Sequence, residues 1–339
     1  MAAPAQTMRA WLYTSASGGL EHALKLSEAA LPPLAKDQIR VQVHSTSINP
    51  IDYKLPEMGV LARAMIPVPA APGLDFAGTV ARVGGDVEAA DTFRVGEKVY
   101  GRIDPAQHGT LGEYVTAKTE WLARLPEAVS LDEASCVGTA GITAYQAIVP
   151  NVKAGDKVFI NGGSGGTGTF GIQVAKSVGC HVTASCSGKN VDLCKSLGAD
   201  EVIDYTQANV SETLKAKGQV FKLVVDNVGA PADLYKAADH YLLPEGKFVQ
   251  IGGGMSLSDM KTMTSRMAIP SFLGGGKRSY QFMLLKTKND DLVQFGKLMS
   301  EGKVKAVIDE KFAYEDAPKA FAKLKTGRSK GNLVIKVSQ

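Results

Sequence analysis

Three glycines carry the clearest chemical signal in the chain. Gly163, Gly165 and Gly168 follow the apolar run Lys157–Asn161 at the spacing G-x-G-x-x-G, within Gly163-Ser164-Gly165-Gly166-Thr167-Gly168. In this pattern the first glycine makes a tight turn, the second lets the backbone approach a pyrophosphate, and the third lets a helix pack on its strand. The helix N-terminus then offers unpaired N–H groups and a partial positive charge to the anion. Glycine clusters also serve as ordinary flexible loops, so the reading depends on context. About 20 residues further on, where an NAD enzyme usually carries Asp or Glu for the ribose hydroxyls, the chain has Ser185-Cys-Ser187-Gly-Lys189. A carboxylate there would repel a 2′-phosphate, whereas hydroxyls and an ammonium attract one. A third cluster is Ser47-Ile-Asn49-Pro50-Ile-Asp52-Tyr53-Lys54. Its proline drives Asn49 out of the helical region and presents an amide, a carboxylate and a phenol together. Asp52 reads as a loop brace and Lys54 as a surface charge.

The elements around the glycines supply the context. Phe170, Val174 and Val178 form a helical stripe closed by Gly179, and the strand His181–Ser185 follows at once. An amphipathic stretch ending at Gly198 and the short runs Glu201–Asp204, Phe221–Asp226 and Lys247–Ile251 continue the alternation. Strands alternating with helices imply a parallel sheet covered on both faces, so residues 131–286 read as a doubly wound Rossmann domain of α/β class. Helical patterns at Leu131–Val137 and Ala144–Val149 lead into it. Before it, alternating strands at 7–15 and 38–47, separated by Pro32-Pro33, and further strands at 72–85, 93–101 and 112–116 read as an irregular antiparallel β domain. After a stretch containing Gly274-Gly275-Gly276 come a strand at Tyr280–Leu285, helices at Asp290–Glu301 and Ala317–Lys325, and the β-branched run Asn332–Val337, expected to return to the first domain's sheet.

At 339 residues the chain exceeds one ordinary core, so two domains are expected. With 45% hydrophobic and 21% charged residues it is globular, and a net charge of +4 spread along the chain gives no reason to propose nucleic acid. No apolar run reaches membrane-spanning length, and the start lacks the apolar core of a secretory signal, so the expected location is cytoplasmic. Four cysteines without CxxC pairing, Cys136, Cys180, Cys186 and Cys194, fit buried reduced thiols.

Taken together, Ser47–Tyr53, Pro72-Gly-Leu-Asp-Phe-Ala-Gly78, Val95-Gly-Glu-Lys-Val-Tyr-Gly101, Gly138–Tyr145, Gly163–Gly168, Leu197-Gly-Ala-Asp200 with Ile203-Asp-Tyr205, and Gly331-Asn-Leu333 make the chain resemble the medium-chain dehydrogenase/reductase superfamily, in its zinc-free quinone oxidoreductase and enone reductase branch. The resemblance spans nearly the whole chain. It implies a β-rich, GroES-like catalytic domain from residues 1–130 and 287–339, with the cofactor in the cleft between it and the 131–286 domain. Zinc-dependent relatives place cysteine where this chain has Asn49 and histidine where it has Leu74. His22, His44, His108, His181 and His240 are scattered, so no metal is expected.

NADPH is the expected cofactor. Ser185, Ser187 and Lys189 are assigned to its 2′-phosphate, the resemblance supporting the lysine and adding Tyr205, and Ser164, Gly165, Gly166, Thr167 and Gly168 to the pyrophosphate turn. The resemblance adds Thr143, Asn227, Val228, Ile251, Gly252 and Asn332 as further cofactor contacts. It implies hydride transfer to the C=C of a small-molecule α,β-unsaturated carbonyl or to a quinone. A dedicated enoyl reductase of a biosynthetic pathway and a non-catalytic NADPH-binding protein are the alternatives. Without a metal, the carbonyl oxygen must be polarised by hydrogen-bond donors, and Asn49 and Tyr53 lie on the segment that faces the nicotinamide in the family. Substrate choice is expected in loops 54–70 and 254–278. A homodimer through the last strand of the sheet is a further family expectation.

Overall fold

A computed structural model describes residues 7–59, 64–107, 109–229, 234–253, 266 and 277–338. His108, Gly274–Gly276 and parts of the two substrate loops lie outside the described residues. The chain forms two compact units. One comprises Met1–Ile142, Lys286–Gly302 and Ala306–Gln339; the other comprises Thr143–Leu285 with Lys303–Lys305. The first carries β1 (Thr7–Leu12), β2 (Lys25–Ala30), β3 (Gln38–Ile48), β4 (Asp75–Val83), β5 (Lys98–Arg102), β6 (Tyr114–Lys118) and β7 (Leu122–Arg124). The second carries β8 (Lys157–Asn161), β9 (His181–Cys186), β10 (Glu201–Asp204), β11 (Phe221–Asp226), β12 (Leu242–Gln250) and β13 (Ser279–Phe282), and β14 (Ile308–Ala313) and β15 (Asn332–Lys336) belong again to the first.

In the first unit the order is β14-β15-β3-β4-β5-β7, with β6 also paired to β3 and a separate β1–β2 ribbon. The terminal strand pairs antiparallel with β3, Leu333 opposite Ile48. Its expected return is therefore seen, but its other neighbour β14 is parallel and has no counterpart in the sequence reading. One apolar core joins the sheet to the closing helix Ala317–Lys325 through Trp11, Ile39, Phe76, Phe321 and Leu333.

The helix Leu131–Ser135 departs from expectation. It was read as leading into the second unit, yet the boundary falls between Ile142 and Thr143 rather than at 130/131. The reason is electrostatic. Buried Asp132 binds Lys311 Nζ at 2.7 Å and Lys336 Nζ at 2.8 Å and accepts from Ser45 Oγ at 2.5 Å. These partners stand on β14, β15 and β3 and hold the helix to the first sheet, and together they depress the Asp132 carboxyl strongly despite its burial. The capping box of Ser130 and Glu133 starts that helix. A π-helical turn, Val137–Gly141, then joins it to the helix Ile142–Ile148.

The second unit is a wholly parallel sheet in the order β10-β9-β8-β11-β12-β13. Numbered from β8, this is the 3-2-1-4-5-6 order of the dinucleotide-binding fold, with its reversal between β8 and β11. Phe159, Phe221, Val224, Tyr241 and Phe248 lie in one of its cores. All four cysteines are buried, free thiols.

Candidate active site

In the second unit the glycine turn follows β8 at the topological reversal. Gly162 turns the chain at φ +75°, and Gly168 packs so closely that a Cβ there would sit 2.1 Å from the Gly162 carbonyl oxygen. Gly165 differs, since a Cβ would meet only that same oxygen at 3.7 Å. The protein's own packing leaves room at Gly165, which suits close approach by a ligand. Gly165 N-caps the helix Gly166–Val178 without any side-chain cap, so the first-turn N–H groups keep their capacity for an anion.

Beside the turn, Asn190 donates through Nδ2 to Ser164 Oγ at 3.0 Å, and its buried Oδ1 has no partner. Asn227 follows β11, donates to the Asn161 carbonyl at 3.0 Å, and likewise keeps a buried Oδ1 unpaired. Unpaired buried acceptors are costly, and two of them on residues bonded to Ser164 and to Asn161 fit a site that receives hydroxyl donors such as those of a dinucleotide's ribose. Gly252 follows β12, where a Cβ would strike the Asn227 carbonyl oxygen at 2.0 Å. Ile251 and Gly252 both donate their N–H to the Asp226 carbonyl, and Val228 is 49% exposed rather than sheet core. Thr143 is buried near the start of its helix.

Ser185 corrects the expectation. It is fully buried, donates to Asn161 Oδ1 at 2.6 Å and accepts from the Gly162 N–H at 3.1 Å. Asn161 in turn donates to Asp226 Oδ1 at 2.8 Å, which also accepts from the N–H groups of Val228 and Gly229. The hydroxyl thus braces the turn and has no surface to offer a phosphate. Ser187, Lys189 and Tyr205 remain accessible: Ser187 is half-buried, Lys189 exposed and Tyr205 56% exposed. They are brought together because β9 and β10 are parallel neighbours and Tyr205 N–H donates to the Cys186 carbonyl at 3.1 Å. Asp204, beside Gly188, is turned onto Thr206, whose N–H and hydroxyl it accepts at 2.9 and 2.7 Å.

The first unit holds the polar cluster of Asn49. Asn49 is extended (φ −127°, ψ 161°), as Pro50 requires, and N-caps a helix, Pro50–Glu57, where a loop was expected. Its main-chain N–H donates to Asp52 Oδ2 at 2.6 Å and its amide Nδ2 to Asp75 Oδ2 at 2.9 Å. Asp75 opens β4 directly across from Arg102 on β5, and its Oδ1 accepts from Thr139 Oγ1 at 2.6 Å. Thr139 accepts in turn from Arg102 Nε at 3.0 Å. Burial pushes Asp75 up to about 6 against the pull of Thr139, Arg102 and Asn49. Burial and the Asp75 charge push Asp52 up to about 8, and Asp52 Oδ1 is a buried atom without a partner.

Tyr53 lies half-buried on the same helix with Lys325 Nζ 5.6 Å from its ring centroid. Burial raises its phenol, as does Glu57, while Lys325 lowers it; it is a protonated donor at neutral pH. Asn332 is buried at the start of β15, where its amide donates to the Val307 carbonyl at 3.2 Å. Leu74 is buried, and among the described residues no three His, Cys, Asp or Glu side chains converge as metal ligands. No helix there is long and apolar enough to cross a membrane. Sequence reasoning missed Asn161, Asn190, Asp226, Asp75, Thr139 and Arg102. Asp75 stood inside the Pro72–Gly78 motif without a role, and Asn161 stood next to the glycines.

Residues 35–127 match the alcohol dehydrogenase GroES-like domain family and residues 197–335 the zinc-binding dehydrogenase family. The chain is 45% identical to the trans-enoyl reductase pgmF of Aspergillus terreus over 98% of this chain and 97% of that protein. It is 32% identical to the chloroplastic quinone-oxidoreductase QR1 of Triphysaria versicolor, over 97% of this chain and 98% of that one. The solved structure of the quinone oxidoreductase from Coxiella burnetii superposes with a TM-score of 0.84 at 31% identity, covering 98% of this chain and all of the other.

Proposed function

The chain belongs to the medium-chain dehydrogenase/reductase superfamily, and from that premise we propose that it is an NADPH-dependent reductase of the C=C bond of α,β-unsaturated carbonyls or of quinones, working without a metal. The observation that carries the reading is the uncapped glycine turn with room at Gly165, followed past β9 by a loop that carries Ser187 and Lys189, while Asp204 of the neighbouring strand is bonded to Thr206. A bound nicotinamide supplies hydride. The protein's own residues then bind and polarise. Gly165–Gly168 hold the pyrophosphate, and Lys189, Ser187 and Tyr205 hold the 2′-phosphate. As negative charge develops on the carbonyl oxygen, the Asn49 amide and the Tyr53 phenol donate to it. Neither donor needs to ionise, since burial holds the phenol above its ordinary range.

The identity to a trans-enoyl reductase supports a second reading, a dedicated enoyl reductase serving a biosynthetic pathway. A panel of enones, quinones and enoyl thioesters under NADPH oxidation separates the two, because only the first reading requires turnover on several unlinked small molecules. Tyr53→Phe tests the chemistry: kcat on enones falls at least about tenfold with NADPH affinity intact. Full turnover in that variant makes Tyr53 a pocket wall. A cytoplasmic homodimer completes the proposal.

A further inference from the structure

We infer that Asp75 is the positioning residue of Asn49, a buried carboxylate that fixes which way the amide points and so where its second N–H is delivered. The inference rests on the proposed role of Asn49 as a donor to the substrate oxygen.

The hydrogen bonds converge on Asp75 from both sides. Arg102 Nε donates to Thr139 Oγ1 at 3.0 Å, so the Thr139 hydroxyl hydrogen is free to go to Asp75 Oδ1 at 2.6 Å, and Asp75 Oδ2 accepts from Asn49 Nδ2 at 2.9 Å. Arginine can only donate and an ionised carboxylate can only accept. The Thr139 hydroxyl, taken up on its oxygen by Arg102, and the Asn49 amide are therefore both oriented as donors toward Asp75. An amide's oxygen and nitrogen are nearly equal in shape, and by itself Asn49 could sit either way round. Facing Asp75 it has one choice, with nitrogen inward, one N–H committed and the other held in a fixed direction.

The clamp has further supports. Asp52 Oδ2 takes the Asn49 main-chain N–H, so the residue is held at backbone and side chain by two different carboxylates. A Cβ on Gly138 would sit 2.6 Å from Asp75 Oδ1 and 2.7 Å from the Gly101 carbonyl oxygen, so glycine alone admits the carboxylate at that place. The π-helical turn Val137–Gly141 delivers both Gly138 and Thr139, and such turns recur at functional sites. Asn49, Asp52, Asp75 and Arg102 are all buried, and a buried cluster of ionisable groups is a poor stability device.

The test is a double-mutant cycle on the NADPH-loaded protein, with Asn49→Ala, Asp75→Asn and the double variant, reading kcat on an enone, Kd for NADPH by fluorescence, and Tm. In Asp75→Asn two amides face each other, donor can meet donor, and Asn49 loses its fixed orientation. Each single variant lowers kcat about tenfold or more, Kd for NADPH stays within about twofold, and Asp75→Asn adds less than about twofold once Asn49 is alanine. An equal loss from Asp75→Asn in both backgrounds overturns the inference, because Asp75 then acts without Asn49. Full turnover in Asn49→Ala removes the donor role itself and the inference with it. Loss in Asn49→Ala with none in Asp75→Asn removes the inference alone. Should Asp75→Asn not fold, Thr139→Val replaces it in the same cycle, with non-additive loss expected and additive loss contradicting the positioning role.

Discussion

Replacing Ser185 by alanine separates a brace from a ligand. The hydroxyl makes two hydrogen bonds, to Asn161 Oδ1 at 2.6 Å and from the Gly162 N–H at 3.1 Å, in a position with no solvent access. Alanine removes both bonds from a buried position, at about 1–3 kcal/mol each, so a total near 2–4 kcal/mol is expected. For a unit of this size that corresponds to a Tm lower by roughly 5–15 °C. Because the damage is to the turn that carries the pyrophosphate, NADPH and NADH are weakened by the same factor and their ratio is unchanged. The assay is thermal unfolding with Kd for both cofactors by fluorescence titration. Lys189→Ala is the control: an exposed ammonium lost from a 2′-phosphate weakens NADPH roughly 10- to 100-fold, leaves NADH within about twofold and does not move Tm. If Ser185→Ala instead discriminates between the cofactors and melts like the parent, the hydroxyl reaches the phosphate and the brace is wrong.

Two further predictions concern stability. Asp52 has a folded pKa of about 8, above its unfolded value near 4, so the folded state binds more protons between those limits and loses stability as pH rises through that window. Asp52→Asn keeps an acceptor for the Asn49 N–H and removes the buried charge; its Tm exceeds the parent's by about 2 °C or more at pH 8 and by less at pH 5, and an equal difference at both pH values would contradict the assignment. Asp132 is the opposite case, a depressed carboxyl whose stabilisation is present above its unfolded pKa and lost as pH falls toward its folded one. Asp132→Asn, by leaving Lys311 and Lys336 without their charge partner, costs about 2 kcal/mol or more at pH 7 and less at pH 3, measured by denaturant unfolding.

The parts of the fold that were legible are those whose signal is local. The β-branched runs that become β8, β9, β11 and β15 and the glycines after β8 carry their meaning in a few consecutive residues. β14, Ile-Asp-Glu-Lys-Phe-Ala, has no apolar alternation because it is an edge strand with a single buried position, Phe312. The allegiance of Leu131–Ser135 depends on lysines some 180 and 200 residues away, which no local pattern contains. In the candidate site, residue type alone could not decide Ser185, since a serine after a strand suits a phosphate contact and a brace equally. Only the neighbouring Asn161 side chain distinguishes them. Asn49 was legible as a polar residue displaced by Pro50. Its partner Asp75, and Thr139 and Arg102 behind it, come from a strand start, a π-helical turn and a strand end, and converge only in the folded sheet.

In the proposed reaction hydride goes to the carbon β to a carbonyl. The direct measurement is single-turnover reduction of a simple enone with [4,4-²H₂]NADPH, followed by NMR of the product, using metal-free buffer and protein whose metal content has been assayed. The expected product is a saturated ketone with deuterium on the β-carbon and a solvent-derived hydrogen on the α-carbon, formed with full activity at well below one zinc per chain. An allylic alcohol with deuterium on the carbonyl carbon, or turnover that appears only with stoichiometric zinc, would contradict it.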